Sequence, residues 1–291
     1  MKRQLHTSAS PRRAGFTLVE LLVVISIIVI LAGIVLGALH AARETARESK
    51  TKSMIARLNA IIMQKYESYM TRRVPISTAG MNPNQAAAAR LGAIRDIMRA
   101  ELPDRFADIT TAPITGIPRP AVSQLYLTFY NNNNPQPNYS PAECLYLIIA
   151  VGMPAEMANF SQEDVGDLDN DGWPEFLDGW GRPIMFLRWA PGFSRDLNSD
   201  VDSQVQSGNA MLDPDPFDPR KVGGGFRLVP LIYSGGPDKK YDIDPGQGSS
   251  YNGNLFSDLA NVGTPTDFDG NGQLNHYDNI HNHRMDQRIV R

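Results

Sequence analysis

The stretch RRAGFTLVELLVVISIIVILAGIVLGAL, residues 12–39, decides the fold of this chain. From Leu21 to Leu39 it has no charged side chain, and a helix of about 20 apolar residues spans a bilayer core. A secretory signal peptide is cleaved after its apolar run, whereas here the small residue Gly15 stands before the run. Cleavage after Gly15 would remove a basic leader and keep the apolar helix. This order indicates a subunit that is held in a membrane and later extracted from it.

The leader, residues 1–15, carries Lys2, Arg3, Arg12 and Arg13 and no acidic side chain. By the positive-inside rule it is expected to stay cytoplasmic, with the C-terminal bulk of the chain outside. The full chain has a formal net charge of -3, so the residues after the leader carry -7. That acidic charge argues against binding to a nucleic-acid backbone and fits calcium binding or plain solubility.

Glu20 is an acid at the edge of the apolar run, where burying a charge costs about 2.5–3.5 kcal/mol. One interpretation is an interfacial acid at a helix N-terminus, stabilised by the helix dipole. The other is a pairing residue whose partner is a free α-amine, on a neighbouring copy or on Phe16 itself. Both interpretations place Glu20 at the start of the membrane helix.

The helical pattern continues beyond the apolar run. Residues 42–73 contain no Gly or Pro, and apolar side chains recur at helical spacing from Ile55 to Met70. One helix from about residue 17 to 72 is therefore predicted, on the order of 80 Å long at 1.5 Å per residue. Its first half is apolar all round, whereas its second half is amphipathic and requires a surface to pack on.

The remainder is predicted to be an α+β head. Helical spacing predicts a helix over Pro83–Leu102, and SPAE at 140–143 fits a capping box that opens a short buried helix through Val151. Apolar runs bounded by Gly and Pro predict strands at 183–189 and 226–233. An antiparallel sheet laid on the distal half of the long helix would bury both apolar faces.

The remaining aromatic, sulfur and imidazole side chains indicate core positions rather than chemistry. Trp173, Trp180 and Trp189 are predicted to be core and loop anchors, and the single cysteine, Cys144, a buried apolar residue. A transition-metal site at the three C-terminal histidines, His276, His281 and His283, is a minor alternative. No catalytic spacing such as HExxH, a nucleotide loop or a nucleophile elbow is present, so the chain is not expected to be an enzyme.

Residues 12–20, RRAGFTLVE, resemble the leader and mature start of type IV pilins and type II secretion pseudopilins. The resemblance implies that a prepilin peptidase cuts after Gly15 and N-methylates the new first residue, Phe16. It also implies that Glu20, the acid at mature position five, pairs with the N-terminus of the neighbouring subunit during assembly. The expected fold is that of a type IV pilin-like protein.

Two later segments resemble the major pseudopilin. LDGWGRPI at 177–184 resembles its D-x-W-G-x-P box, and LIYSGGPD at 231–238 resembles its Y-S-x-G-x-D calcium loop. This resemblance implies a calcium ligand at Asp238, with Asp242 and Asp244 as further carboxylates. Two departures are Gly37, which stands where members often have a proline, and extra length, mostly between Val74 and Asp178 and at the C-terminus.

Two acidic loops independently predict calcium binding. In each, oxygen-bearing side chains stand at loop positions 1, 3, 5, 9 and 12 with Gly at position 6, and calcium takes 6–8 oxygens. The alternative is a pair of Asp- and Asn-rich turns. The predicted ligands of the first loop are Asp167, Asp169, Asp171, Glu175 and Asp178. Those of the second loop are Asp267, Asp269, Asn271, Gln273, Asn275 and Asp278.

The predicted organisation is a leader (1–15), a transmembrane assembly helix (16–42), its amphipathic continuation (43–73) and a head (74–291). The head comprises an insertion at about 74–165, followed by the sheet and acidic loops at about 166–291. The predicted protein sits in the bacterial inner membrane with a cytoplasmic N-terminus and a periplasmic head, and then enters a filament.

The predicted function is that of a structural subunit of a type II secretion pseudopilus, polymerised through its N-terminal helix to drive protein export. Expected partners are other copies of itself, minor pseudopilins, the prepilin peptidase and the inner-membrane assembly platform, with calcium as cofactor. The alternatives are a minor tip pseudopilin, which abundance would distinguish, and a type IV pilin for adhesion or DNA uptake.

Overall fold

The computed structural model describes residues 16–133, 135–136, 138–195, 203–221, 224–246, 248–267 and 275–284. The chain divides into two compact units, one ending at Thr45 and the other beginning at Ala46. A single helix, α1 (Leu18–Ser68), continues from the first into the second and ends in a 3-10 turn, Tyr69–Thr71. The predicted long helix is therefore confirmed.

The distal part of α1 presents one apolar face to the core. Thr51, Met54, Ile55, Leu58, Ile61, Ile62 and Tyr66 are buried at the three- and four-residue spacing of a helix face. The apolar side chains of this face share one hydrophobic cluster with sheet residues such as Phe186 and Ile232. The C-terminal end of α1 is held by Glu101, which accepts from Lys65 Nζ at 2.6 Å and from Arg72 at 2.7 Å.

Four helices follow, α2 (Pro83–Glu101), α3 (Phe106–Thr110), α4 (Ala121–Asn133) and α5 (Ser140–Leu147), and α5 continues into a π-helical turn, Ile148–Gly152. Short 3-10 turns occupy Pro154–Asn159 and Gln162–Asp164. At the predicted α2, Asn82 and Gln85 form a reciprocal capping box, and Pro83 stands in the first turn. The sequence patterns did not predict α3 and α4.

The predicted capping box at Ser140 is wrong. Ser140 lies inside α5, the N-cap residue is Tyr139, and no side chain caps this end. A capping box needs its Ser at the N-cap, outside the helix, because only there does the hydroxyl reach the free N–H groups. The Glu143 carboxylate, predicted to complete the box, is fully buried and makes no hydrogen bond there.

Two small antiparallel sheets complete the α+β head and confirm the predicted fold class. β1 (Val165–Gly166) pairs with β2 (Glu175–Phe176), so that the first acidic loop connects them. The second sheet has the order β3-β4-β5, formed by β3 (Met185–Leu187), β4 (Leu231–Ser234) and β5 (Ile280–His281). Met185 lies opposite Tyr233, which in turn lies opposite His281.

The last elements lie near the C-terminus. They are α6 (Leu255–Asp258) and a 3-10 turn, Asn275–Asp278, directly before β5. The predicted strands at 183–189 and 226–233 are both present but shorter, and β5 was not predicted. Trp173 and Trp189 are buried as predicted, Trp180 is half-buried, and Cys144 is fully buried.

A buried ion network ties β3 to the turn between α2 and α3. The side chain of Arg188 is 1% exposed and donates to Asp108 at 2.9 Å and to the Leu102 carbonyl at 2.6 Å. Burial raises the pKa of Asp104, but Arg188 and Arg105 outweigh it and lower the pKa to about 2. Each charged side chain of this network has a partner of opposite sign within the protein.

The turn after β2 contacts α1 directly. Gly179 N–H donates to Thr51 Oγ1 at 2.9 Å, and a Cβ at Gly179 would lie 2.3 Å from the Arg47 carbonyl oxygen. The preceding residue, Asp178, accepts from the N–H groups of Trp180 and Arg182 and from the Ser234 hydroxyl. Glycine is required at position 179 by close approach to a helix backbone that has no room to shift.

We expect Gly179→Ala to destabilise the head by about 1–3 kcal/mol, because the added methyl overpacks against backbone atoms. The measurement is the free energy of unfolding of the full chain in detergent. The matched control is Gly92→Ala in α2, where the new Cβ meets only the Thr115 methyl at 3.2 Å. There the gain in helix propensity of about 1 kcal/mol offsets the tight methyl contact, so the free energy of unfolding should stay nearly unchanged. Equal effects of the two variants would contradict the steric account.

Two buried histidines predict acid sensitivity. Burial lowers the pKa of His281 to about 3 and that of His283 to about 4, from about 6.5 in the unfolded chain. The unfolded state then binds more protons below pH 6.5, so stability is fully present above pH 6.5 and lost as pH falls toward 4. Each histidine adds up to about 1.4 kcal/mol per pH unit in that window.

Replacing both His281 and His283 with glutamine, which does not titrate, should flatten the decline of the free energy of unfolding between pH 6.5 and pH 4. The measurement is urea unfolding across that range. The control His40→Gln, at an exposed position of α1, should leave the slope unchanged. An unchanged slope in the double variant would show that other groups govern acid unfolding.

Candidate functional site

The start of α1 combines an exposed apolar surface with one acid. The large apolar side chains from Phe16 to Leu39 are 44–78% exposed. Within the described residues, α1 is the one helix long and apolar enough to cross a membrane, with an 18-residue window of mean hydropathy 3.1. Among the described residues these side chains stay exposed, and an apolar surface of this extent requires lipid or other helices around it.

Glu20 forms a capping box with Thr17 at the first turn of α1. The Thr17 N–H and hydroxyl both donate to Glu20 Oε2 at 2.8 Å, and Glu20 N–H donates back to Thr17 Oγ1 at 3.2 Å. This geometry matches the first interpretation of Glu20, an acid at a helix N-terminus. It does not conflict with the second, because both hydrogen bonds use Oε2 and leave Oε1 to accept from an amine. Gly15, the predicted cleavage residue, lies outside the described residues.

The first acidic loop brings three aspartates together. One carboxylate oxygen from each of Asp167, Asp169 and Asp171 lies within 4.8 Å of the others. Backbone N–H groups shape the turn, since Asp171 and Gly172 donate to Asp167 at 3.1 and 3.0 Å. Gly172, at loop position 6, has φ +89°, a conformation that glycine adopts readily.

Glu175 at loop position 9 and Glu143 on α5 form a second group with Asp169. Their carboxylate oxygens also lie within 4.8 Å of one another. Glu143 and Glu175 are both fully buried. Sequence reasoning missed Glu143 as a member of this cluster because it stands far from the loop in the chain and matched a capping box. The only available signal was an acid beside an apolar run.

Five oxygens in this cluster are buried without a hydrogen-bond partner. Two belong to Asp169, two to Glu143 and one, Oε1, to Glu175. Burial and the neighbouring carboxylates raise the pKa of Glu143 to about 9 and that of Glu175 to about 7. Buried polar atoms are normally satisfied, so a set of unpartnered acceptors fits a bound cation. The oxygen-only donor set suits a hard divalent ion such as calcium.

Asp178, the predicted ligand at loop position 12, belongs to neither group. Its Oδ1 accepts from two backbone N–H groups of the following turn, and its Oδ2 accepts from Ser234 Oγ at 2.6 Å. These bonds fix the junction between β2, β3 and β4. The structure thus brings four of the five predicted ligands of the first loop together and assigns the fifth to a turn.

A smaller acidic group joins the two other predicted sites. Asp238 N–H donates to Asp278 Oδ2 at 3.4 Å, and Asp278 Oδ1 is buried without a hydrogen-bond partner. Burial, followed by the charges of Asp238 and Asp242, raises the pKa of Asp278 to about 7. Asp244 instead accepts from Gly246 N–H in a local turn. Asp278 was predicted to close the second loop, but it faces the loop that begins at Asp238.

Of the described residues of the second acidic loop, only Asp278 takes part in these contacts. Asp267 is described and half-buried. Asp269, Asn271 and Gln273 lie outside the described residues, as does the side chain of Asn275. Their predicted calcium binding stays a prediction.

Comparison with known proteins gives one match. The family model described as "Prokaryotic N-terminal methylation motif" matches residues 10–36, which include Gly15, Phe16 and Glu20. No curated protein and no solved structure matches the chain. The chain therefore carries the leader and N-terminal methylation motif of a type IV pilin-like prepilin, joined to an apolar helix able to span a membrane.

Proposed function

We propose that this protein is a structural subunit of a type II secretion pseudopilus that polymerises through α1 to drive protein export. One observation carries the proposal: the methylation motif at residues 10–36 opens a helix whose apolar side chains are exposed all round. In the proposed sequence of events, the peptidase cuts after Gly15 and methylates Phe16. The subunit then waits in the inner membrane, with its head in the periplasm, until it enters the filament.

The surface of α1 suits close packing between copies. Gly33 and Gly37 stand four residues apart, and a Cβ added to either would meet nothing within 4 Å inside the subunit. Small residues at this spacing let the backbones of neighbouring membrane helices approach each other. A filament core of bundled α1 helices would enclose the apolar surface once the subunit leaves the lipid. Other copies and minor pseudopilins are the proposed partners, assembled by the inner-membrane platform.

Two features of the head support a secretion pseudopilus rather than an adhesive or DNA-binding pilus. The segment at 177–184 packs against α1 through Gly179, the variable position of the box, and the glycine of the box itself, Gly181, has φ +74°. The loop from Asp238 gathers carboxylates with Asp278, as a calcium loop would. The acidic charge of the residues after the leader also disfavours DNA as a ligand.

A minor tip subunit is the second candidate. The observation that favours it is the helical insertion α2–α5, which stands between the long helix and the pseudopilin-like segments. A bulky head is less crowded at the end of a filament, where fewer subunits surround it, than it would be in every layer of the filament.

Glu20→Gln separates the two roles of Glu20. Glutamine retains the capping box with Thr17 but removes the charge that would pair with an amine. We expect normal cleavage and methylation, and a drop in filament incorporation of about tenfold or more, because a charged hydrogen bond contributes about 1.5–3 kcal/mol. Mass spectrometry of the mature N-terminus and immunoblotting of sheared filaments measure the two steps.

The matched variant is Thr17→Val, which removes the capping hydroxyl and keeps the charge of Glu20. It should enter filaments far more efficiently than Glu20→Gln does, because the charge remains and the Thr17 N–H still donates to the carboxylate. The reverse result, with Glu20→Gln assembled and Thr17→Val excluded, would reduce Glu20 to a helix cap.

Abundance distinguishes the two candidate positions in the filament. A major subunit should be the dominant protein in sheared filaments, since it occupies every layer. Quantitative mass spectrometry against the other prepilin-like proteins of the same cells gives the ratio. A trace amount would assign the chain to the tip and overturn the major-subunit proposal.

A further inference from the structure

Two elements far apart in sequence contribute carboxylates to two neighbouring groups that share Asp169. α5 contributes Glu143 from its first turn, and the β1–β2 connection contributes Asp167, Asp169 and Asp171, with Glu175 at the start of β2. Both oxygens of Glu143 are unpartnered, and its side chain is fully buried. Such a carboxylate on an apolar helix has no stabilising partner unless a ligand supplies one.

We propose that Glu143 completes a calcium site with Asp167, Asp169, Asp171 and Glu175. In a loop of this pattern the twelfth residue closes the site, and Glu143 takes that role here. The ion therefore bridges α5 to the loop rather than sitting within the loop alone. The inference concerns the head and holds whichever filament the chain enters. Its failure would leave processing and assembly through α1 untouched.

The oxygen count fits calcium. The five unpartnered oxygens of Asp169, Glu143 and Glu175 are joined by the carboxylates of Asp167 and Asp171. One oxygen from each of the latter brings the set to seven, within the 6–8 that calcium takes. Asp167 accepts two hydrogen bonds from the loop backbone, and Asp171 accepts one from Trp173 N–H and one from Gln136 N–H. Each of these oxygens keeps a lone pair free for a metal. Magnesium, which prefers six ligands and several waters, suits this dry carboxylate set less well.

The bridge would stabilise a second hydrophobic cluster. Trp173, at loop position 7, is 1% exposed. Its ring packs edge-on against the rings of Phe106 and Phe129, with centroid distances of 5.2 and 4.9 Å. The backbone N–H of Trp173 donates to Asp171 Oδ1 at 2.8 Å. Cys144 and Leu147 of α5 belong to the same cluster. Calcium bound to the loop carboxylates would thus hold Trp173 and α5 in place, and these two pack α3 and α4 against the rest of the head.

The test compares two acidic residues by substitution with their amides. Glu143→Gln removes a proposed ligand charge and keeps the shape of the side chain, whereas Asp178→Asn removes a carboxylate that the structure assigns to a turn. Calcium binding to the full chain in detergent is measured by isothermal titration calorimetry, with magnesium as the competing ion. Melting temperatures are recorded with excess calcium and with EGTA.

We expect Glu143→Gln to lose calcium affinity by at least about tenfold, the loss that follows removal of even an outer partner of a metal site. In EGTA the same variant should melt above the wild type, because it no longer buries an unpaired carboxylate beside four others. In calcium the order should reverse, since the wild type gains the free energy of binding. This crossover is a result that a merely structural role of Glu143 would not give.

Asp178→Asn should bind calcium as tightly as the wild type. Its melting temperature should fall below that of the wild type by the same amount in calcium and in EGTA. The proposal is overturned if Glu143→Gln binds calcium as tightly as the wild type, or if it melts below the wild type in EGTA. It is also overturned if Asp178→Asn abolishes binding while Glu143→Gln spares it, because the loop would then be closed by its own twelfth residue.

Discussion

The contact between Gly179 and the backbone of α1 is the constraint on which the head depends. The Thr51 hydroxyl accepts from Gly179 N–H and itself donates to the Arg47 carbonyl, so the turn is bonded to a helix whose own bonds stay intact. One residue earlier, Asp178 bonds the turn to Ser234 on β4. Helix, turn and sheet are thereby fixed at one place, and the amphipathic face of α1 can be buried by β3 and β4.

Buried carboxylates of the head stand in two different surroundings. Around Arg188 the partners are all protein groups, and the pKa of Asp104 falls despite burial because two guanidinium groups face it. Around Glu143 the causes of the raised pKa are burial and four further carboxylates. An arrangement of like charges in a desolvated place is costly in an isolated protein and favourable around a divalent cation. The contrast within one small domain argues that the second cluster is a site.

The sequence predicted best where a long periodic pattern is decided by local physics. The apolar run and the helical spacing up to Met70 predicted α1, because both depend on residues within a few turns of each other. Short elements without a period, α3, α4 and β5, were missed, since their existence depends on tertiary packing. The roles of Asp178 and Glu143 were not predictable from spacing. A loop pattern predicts a ligand at position 12, but that carboxylate is held by Ser234. The carboxylate that lies beside Asp169 and Glu175 comes instead from a helix elsewhere in the chain.

The two interpretations of Glu20 are compatible once its oxygens are considered separately. In the single subunit Glu20 Oε2 accepts from the N–H and the hydroxyl of Thr17, the residue before α1, so the acid is not an isolated charge at the membrane surface. Cleavage after Gly15 would create a new amine at Phe16, and in a filament such an amine on a neighbouring copy can donate to Oε1. The cap holds the carboxylate in one orientation before the partner arrives, which lowers the entropy cost of pairing. Helix start and subunit pairing would then be two uses of one preoriented side chain.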